Sequence, residues 1–187
     1  MIRSFLAIEL PEALRERIEE VQKELRSTPA DVRWVRPEQI HLTLKFFGNI
    51  EASRIESILQ AIEEPLKTTP PASIEVQGMG AFPNLNHPRV VWVGIKEEGK
   101  ILISLQKRLE ERLRKVGFKP EDRDFHPHLT LGRVRSNRGR EELIRGMERH
   151  RDEIFGAFRM EKAVLFKSDL TPQGPIYTAL KEMRIGS

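Results

Sequence analysis

The tetrapeptide HLTL occurs twice in this chain, in PEQIHLTLKFFGNI (residues 37–50) and in DFHPHLTLGRVRS (residues 124–136). The 187 residues include five histidines, and two of them, His41 and His128, begin the two copies. A single His-x-Thr sequence in a strand is ordinary, because threonine favours strands and histidine is tolerated there. Two copies raise the question of whether the chain is duplicated and whether the copies form one site.

The offset of 87 residues between the copies aligns more than the tetrapeptide. It places Ile8, in an alternating segment that predicts a strand, on Ile95. It also places Ile18, in an amphipathic segment that predicts a helix, on Leu105. A strand, a helix and the HLTL strand therefore coincide together. This agreement predicts an internal duplication that gives two similar α+β lobes facing each other about a pseudo-twofold axis.

Hydrophobic periodicity and turn residues predict the order of the elements. Gly48 and Asn49 predict a turn after the first HLTL strand. No segment is low in complexity or resembles a linker, so residues 1–187 are predicted to form a single bilobal domain. Strands are predicted at 2–10, 32–35, 40–47, 73–82, 89–95, 128–134, 157–167 and 175–183, and helices at 11–26, from Ile55 to a stop at Pro65, at 99–116 and at about 139–151.

The composition excludes several classes of protein. The chain has 39% hydrophobic and 32% charged residues, a net charge of +4 and a pI of about 9.5, which permit an anionic partner such as nucleic acid. The absence of cysteine excludes disulfides, thiolate catalysis and cysteine-ligated metal centres. No apolar run approaches the roughly 20 residues that cross a bilayer, and the N-terminus lacks the apolar core of a signal peptide. We expect a cytoplasmic monomer that does not bind membranes.

Strand geometry divides each HLTL copy into two faces. Alternate residues share a face, so Leu42 and Leu44 lie opposite to His41 and Thr43, and the second copy divides in the same way. The leucines fit a core, and the histidine and threonine then face the other lobe. Across a pseudo-twofold axis, the two His/Thr faces can line one cleft.

Two histidines and two threonines suit the chemistry of phosphate esters. Imidazole titrates near pH 6.5, so one ring can accept a proton from a nucleophile while the other donates one to the leaving oxygen. Threonine hydroxyls can donate hydrogen bonds to the non-bridging oxygens of the phosphate. A metal site formed by His41, His126 and His128 is the competing interpretation. Neither strand face, however, carries the carboxylate that hydrolytic metal sites usually include.

Three segments carry a resemblance to a known family: RSFLAIELPE (3–12), RWVRPEQIHLTLKFFG (33–48) and FHPHLTLGRVR (125–135). They resemble the bacterial and archaeal RNA 2′,3′-cyclic phosphodiesterases, also called 2′-5′ RNA ligases, of the two-histidine phosphoesterase superfamily with paired HxTx motifs. The resemblance extends over essentially the whole chain. It implies a bilobal α+β fold in which two antiparallel sheets face a central cleft, with helices on the outside.

The resemblance also implies an activity and the residues that perform it. The expected reaction is hydrolysis of a terminal RNA 2′,3′-cyclic phosphate to a 2′-phosphomonoester without a metal or other cofactor, with 2′-5′ RNA ligation as its reverse. The partner is then an RNA that ends in a cyclic phosphate. By the family pattern, His41 is the proton donor and His128 the proton acceptor, although a pseudo-symmetric site allows the opposite roles. Thr43 and Thr130 hold the phosphate.

Further positions are candidates for contact with the substrate. Arg133 resembles a family arginine that contacts phosphate, but strand parity places it on the leucine side unless the strand contains a bulge or bend after Gly132. Phe5 is predicted to form the floor of the cleft and to stack on a base, with ordinary packing as the alternative. Lys45 is predicted to lie on the same strand face as His41.

The remaining histidines are predicted to lie outside the chemistry. Pro127 interrupts the strand ladder between His126 and His128, so His126 is predicted to have a structural role. His87 lies in a turn-rich loop and His150 on a charged helix, and both are predicted to lie on the surface.

Other functions stay open on the sequence alone. A protein that binds RNA ends or nucleotides without turnover would not need two intact histidines, which favours the enzyme. The same chemistry could act on 2′,5′-linked oligonucleotides or on a small cyclic nucleotide, and the sequence does not distinguish between these substrates.

Overall fold

The structure, a computed structural model, describes residues 1–186, and of Glu98 only the backbone. Within these residues the chain forms nine strands and four α-helices. The strands are β1 (Ile2–Glu9), β2 (Val32–Trp34), β3 (His41–Ile50), β4 (Ala72–Phe82), β5 (Val90–Lys96), β6 (His128–Val134), β7 (Ile154–Met160), β8 (Lys162–Thr171) and β9 (Gly174–Arg184). The helices are α1 (Glu12–Arg26), α2 (Ile55–Lys67), α3 (Ile101–Lys115) and α4 (Arg140–Arg149).

The strands form one curled antiparallel sheet in the order β7-β4-β5-β6-β3-β1-β8-β9, with β2 beside β6. Its two halves, β7-β4-β5-β6 and β3-β1-β8-β9, meet where β3 lies next to β6. One residue pair makes this junction, Leu42 opposite Leu129. The predicted α+β fold with two antiparallel sheets is confirmed, and the structure adds that the two sheets are joined through their inner strands.

The predicted duplication is visible in the order of the elements. A displacement of about 87 residues carries β1 onto β5, α1 onto α3, β3 onto β6 and β4 onto β8. The repeats exchange their last strands, because β4 of the first repeat pairs with β5 and β8 of the second repeat pairs with β1. Each half of the sheet therefore contains strands from both repeats.

The leucines of both HLTL copies lie in the main core. Leu42, Leu44, Leu129 and Leu131 are each 2% exposed or less, and burial of a leucine side chain contributes roughly 2 kcal/mol. They belong to the same apolar cluster as the buried residues of α1, α2, α3 and α4. The helices thus cover the leucine side of the sheet, and in the described part of the chain none of them is long and apolar enough to span a bilayer.

Two predicted boundaries in the first repeat differ from the structure. Gly48 and Asn49 lie inside β3 rather than in a turn, and Gly48 has a positive φ of 70° that lets the strand continue to Ile50. The second helix passes through Pro65 to Lys67. A proline this close to the end of a helix removes one N–H donor, and the turn that remains is held by tertiary packing.

The predicted strand at 157–167 is in fact two strands, β7 and β8, separated at Glu161. β7 pairs with β4 in one half of the sheet, and β8 pairs with β1 in the other. Buried residues occur on both sides of the break, so the apolar pattern continues across it. The periodicity therefore contained no sign that the chain changes from one half of the sheet to the other.

Candidate active site

His41 and His128 lie at the junction between the two halves of the sheet, as the first residues of β3 and β6. The second residues of the two copies are paired across the strands, so the antiparallel register places each histidine beside the threonine of the other copy. His41 is next to Thr130, and Thr43 is next to His128. All four side chains line one cavity of about 430 Å³.

The imidazole of His41 is part of an aromatic wall. It stacks on Phe5 with 4.7 Å between ring centroids, and Tyr177 meets it edge-on at 5.5 Å. Phe5 is 3% exposed and packs with Phe166 in a small apolar cluster separate from the main core. Burial lowers the pKa of His41 to about 4, and the hydrogen bond to the backbone of Gln39 opposes this shift only in part. The ring is therefore neutral at neutral pH.

His128 lies in a more open environment. Its ring meets Phe82 edge-on at a centroid distance of 4.9 Å. Burial lowers its pKa, and the positive charge of Arg133 lowers it further. The pKa values of both imidazoles are thus lowered, but aromatic side chains enclose His41 more completely than His128.

Both imidazoles are held in the same tautomer by the main chain. Nδ1 of His41 donates to the carbonyl oxygen of Gln39 at 2.7 Å, and Nδ1 of His128 donates to the carbonyl oxygen of His126 at 2.6 Å. Each acceptor lies two residues earlier in the chain, and each bond leaves Nε2 available for proton transfer. His126 therefore acts through its carbonyl, while its side chain is exposed.

A bulge in β3 reverses the alternation after the first HLTL copy. Leu44 has no partner on β1, because the residues on either side of it oppose consecutive residues of that strand. Lys45 consequently turns to the core side, where it is 4% exposed and its Nζ lies 2.9 Å from a carboxylate oxygen of Glu110. The prediction that Lys45 shares a face with His41 is wrong for this reason.

The second copy has a bulge at the equivalent residue, Leu131, which has no partner on β5. Its carbonyl accepts hydrogen bonds from the N–H of Val35 at 2.8 Å and from the buried side chain of Gln22 at 2.9 Å. The bulge brings Arg133 to the cavity, which it lines. The bulge that Arg133 needs in order to reach the cavity is therefore present. It lies at Leu131, one residue before Gly132, whereas it was predicted after Gly132.

The residues predicted from the sequence to catalyse or to bind substrate all line this single cavity. Their proximity is a property of the fold, and the role of each remains a prediction. The set comprises His41, Thr43, His128, Thr130, Arg133 and Phe5.

The sequence did not single out several other residues of the cavity. Arg36, between β2 and β3, and Tyr177, on β9, also line it, but their proximity depends on tertiary packing that no local pattern reveals. Arg3 lines it as well, and here a signal existed, because Arg3 shares its strand parity with Phe5. Its guanidinium lies 4.6 Å from the ring centroid of Phe46, which the first bulge turns towards the cavity.

The other two histidines lie apart from the cavity. His87 is exposed in the loop between β4 and β5, as predicted. The surface position predicted for His150 is wrong, because its side chain is 12% exposed and lies between Glu24 and Glu153. Among the residues that the structure describes, no three histidine, aspartate or glutamate side chains converge as they would around a metal ion.

Comparison with protein families gives two consecutive matches to one family model. The model is described as LigT-like phosphoesterase, and it matches residues 8–92 and 93–177. Two matches of equal length agree with the duplication that the HLTL copies predicted.

Named relatives and solved structures resemble the chain over nearly its whole length. The RNA 2′,3′-cyclic phosphodiesterase of Methanothermobacter thermautotrophicus is 39% identical over 98% of this chain and 99% of its own length. That of Archaeoglobus fulgidus is 39% identical over 96% of this chain and 98% of its own. The crystal structure of TT0787 from Thermus thermophilus gives a TM-score of 0.82 at 28% identity, and that of E. coli LigT with 3′-AMP gives 0.77 at 25%, each over 98% of both chains.

Proposed function

The chain belongs to the LigT-like phosphoesterase family, and we propose that it hydrolyses the terminal 2′,3′-cyclic phosphate of RNA to a 2′-phosphomonoester without a metal ion. The names of its relatives support the substrate, since they are RNA 2′,3′-cyclic phosphodiesterases. The complex of E. coli LigT with 3′-AMP supports binding of a nucleotide bearing phosphate on the ribose.

One observation supports this function above the others: two imidazoles oriented through Nδ1 line one cavity together with two threonine hydroxyls. Hydrolysis of a phosphodiester needs one group that removes a proton from water and another that supplies a proton to the leaving oxygen. The pseudo-twofold relation between the strands supports a reaction in which both groups act on one phosphate. A protein that only binds RNA ends would gain nothing from orienting both rings.

The proposed reaction breaks one P–O bond and forms another. Nε2 of His128 takes a proton from water as the water oxygen attacks phosphorus, in line with the 3′ oxygen of the ribose. The P–O3′ bond breaks, and Nε2 of His41 gives its proton to that oxygen, which leaves the phosphate on the 2′ oxygen. Thr43 and Thr130 donate hydrogen bonds to the non-bridging oxygens, and Arg133 balances their negative charge. When an RNA 5′-hydroxyl attacks phosphorus in place of water, a P–O5′ bond forms as the P–O3′ bond breaks, and the same two proton transfers give a 2′-5′ phosphodiester, which is ligation.

His41 can act as the acid only if it gains a proton on the way to the transition state. With a pKa of about 4, roughly one His41 in a thousand is protonated at pH 7 in the free protein. An anionic phosphate in the cavity favours the imidazolium and raises this pKa. We propose that the substrate and the proton bind together.

Product analysis tests the proposed function. An oligoribonucleotide with a 2′,3′-cyclic phosphate is incubated with the protein in excess EDTA, and the monoester is identified by chromatography against 2′- and 3′-phosphate standards. The expected product is the 2′-phosphomonoester at the same rate with and without EDTA. A 3′-phosphate product, loss of activity in EDTA, or no product would each contradict the proposal.

Calorimetry tests the assignment of the acid. Binding of a 2′-O-methyl dinucleotide, whose phosphodiester does not titrate near neutrality, is measured at pH 7 in buffers of different ionisation enthalpy. Proton uptake is expected in the parent protein and in His128→Gln, and its loss is expected in His41→Gln. Loss of uptake in His128→Gln instead would exchange the two roles.

A further inference from the structure

The cavity carries more positive charge than the terminal cyclic phosphate of the proposed substrate requires. Four arginines line it, Arg3, Arg33, Arg36 and Arg133, and no aspartate or glutamate is among the described residues that line it. The whole chain has 32 lysines and arginines against 28 aspartates and glutamates, so these four equal the entire excess of basic residues. A cyclic phosphodiester carries a single negative charge.

Two of the four arginines lie near the reacting groups. Burial is the main cause that lowers the pKa of His128, and the charge of Arg133 is the smallest of the causes that lower it further. Burial raises the pKa of Tyr177, and the charges of Arg3 and Arg133 both oppose that rise. Arg133 lies on β6, the strand of His128 and Thr130, and Arg3 lies on β1, the strand of Phe5. These two arginines are therefore the pair on the strands of the reacting groups, where the proposed reaction has one phosphate to bind.

Arg33 and Arg36 form a second pair of arginines, on the segment that carries β2. Arg33 lies directly opposite Arg133 in the pairing of β2 with β6, and like charges opposite one another in a sheet are destabilising. Arg36 donates a hydrogen bond to the carbonyl oxygen of Gln173 at 2.5 Å, which ties it to the turn between β8 and β9. Among the side chains that the structure describes, neither Arg33 nor Arg36 forms an ion pair with a carboxylate.

The covalent structure of RNA determines where the negative charge closest to the cyclic phosphate lies. A 2′,3′-cyclic phosphate occupies one edge of the terminal ribose, and the nearest further phosphate of the chain is on the 5′ oxygen of the same ribose. A phosphodiester there would offset the repulsion between Arg33 and Arg133, and arginine binds phosphate oxygens with two parallel N–H donors.

We propose that Arg33 and Arg36 bind the phosphodiester that joins the terminal nucleotide to the one before it, so that the enzyme selects RNA chain ends over cyclic mononucleotides. This inference rests on the proposed function and specifies its substrate class. Arg33 and Arg36 are then specificity residues, because they contact a part of the substrate at which no bond changes.

A substrate series separates this second phosphate from the first. Values of kcat/KM are compared for a nucleoside 2′,3′-cyclic phosphate, for a dinucleotide ending in the same cyclic phosphate, and for that dinucleotide with an uncharged methylphosphonate linkage. The variants are Arg33→Gln, Arg36→Gln and the double variant. Arg114→Gln is the matched control, since Arg114 is exposed on α3 and does not line the cavity.

The charged dinucleotide is expected to be the preferred substrate and to lose about tenfold in kcat/KM with each substitution. The other two substrates and the control variant are expected to change less than about twofold, on the same scale. The slope of log kcat/KM against log salt for the charged dinucleotide should decrease by about 0.7 in the double variant, for the one phosphate whose contacts are lost.

Other outcomes overturn the inference. Equal losses on all three substrates would mean that the arginines act on the terminal phosphate or on the fold, and unchanged rates would mean that they bind no phosphate. Arg33→Gln keeps the test decisive if Arg36→Gln unfolds, because the described residues give the Arg33 side chain no hydrogen bond that holds the fold. Parent protein that hydrolyses none of the substrates would remove the proposed function, and this inference with it.

Discussion

His41 and His128 are the first residues of equivalent strands, and the backbone holds both rings in the same way. Each donates from Nδ1 to a carbonyl two residues earlier, and each strand has a bulge three residues after the histidine. Their neighbours differ. His41 is enclosed by Phe5 and Tyr177, whereas His128 meets the edge of Phe82 in a more open position. The duplicated backbone thus fixes the tautomer of both rings, and the side chains around each ring set its affinity for a proton.

The bulges extend this contrast beyond the histidines. After the first bulge, Lys45 is buried and Phe46 lines the cavity. After the second, Gly132 is buried and Arg133 lines the cavity. After its bulge, one strand therefore places an aromatic ring in the cavity and the other places a positive charge there. Such asymmetry is what separates an acid from a base in a pair of like groups.

The largest expected effect is on catalysis. His41→Ala and His128→Ala should each lower kcat roughly a thousandfold, because each removes one of two proton-transfer groups. Rates are measured on a cyclic-phosphate dinucleotide from pH 5 to 9. His126→Ala is the control and should retain most of the activity, since only its carbonyl is used. Parent-like rates in either alanine variant would contradict an acid–base pair.

The second prediction concerns stability in acid. The pKa of His41 is about 4 in the folded protein and about 6.5 in an unfolded chain, so the unfolded state binds more protons between these values. The free energy of unfolding should therefore fall by up to about 3 kcal/mol from this residue as the pH decreases from 6.5 to 4. Urea unfolding should show that His41→Gln removes this component. His87→Gln, at an exposed site, should leave the pH dependence as in the parent.

The third prediction concerns the hydroxyls between the two histidines. Thr43→Val and Thr130→Val keep the shape of the side chain and remove a donor to the phosphate, which should lower kcat about a hundredfold in each case. Thr43→Ser and Thr130→Ser should recover most of the rate. Steady-state kinetics decide this, and a change confined to KM would indicate ground-state binding instead.

The smallest effect tests the position after the second bulge. A methyl group on Gly132 would lie 2.7 Å from Cγ1 of Val32 and 2.9 Å from Cε3 of Trp34, so Gly132→Ala should displace β2. We expect a loss of about 2 kcal/mol in the free energy of unfolding. A thermal midpoint equal to that of the parent would show that β2 adapts without cost.

The sequence predicted the two HLTL strands and their division into core leucines and cavity residues, because alternation within four residues is a local property. It failed for Lys45, since one extra residue in a strand inverts every side chain that follows. For Arg133 the need for a bulge could be argued, but its exact place could not. The bulge is held by a hydrogen bond from Gln22, which lies on a helix more than a hundred residues away in the sequence.

The aromatic enclosure of His41 could not be predicted at all. Phe166 and Tyr177 reach it because β8 and β9 join the half of the sheet that contains β1 and β3. The exchange of strands between the repeats makes this arrangement, and local periodicity does not record which half of a sheet a strand enters.

The exchange of strands between the repeats also determines the order in which the parts of the sheet can form during synthesis. As the chain leaves the ribosome, β1 and β3 are complete once Ile50 has appeared, but the strand that covers the other edge of β1 begins at Lys162. An uncovered strand edge is prone to pair with other chains. We propose that the chain folds as one unit. A nascent chain then contains both histidines before β8 and β9 are available to enclose His41. Catalysis would then begin only after β8 and β9 have been synthesised.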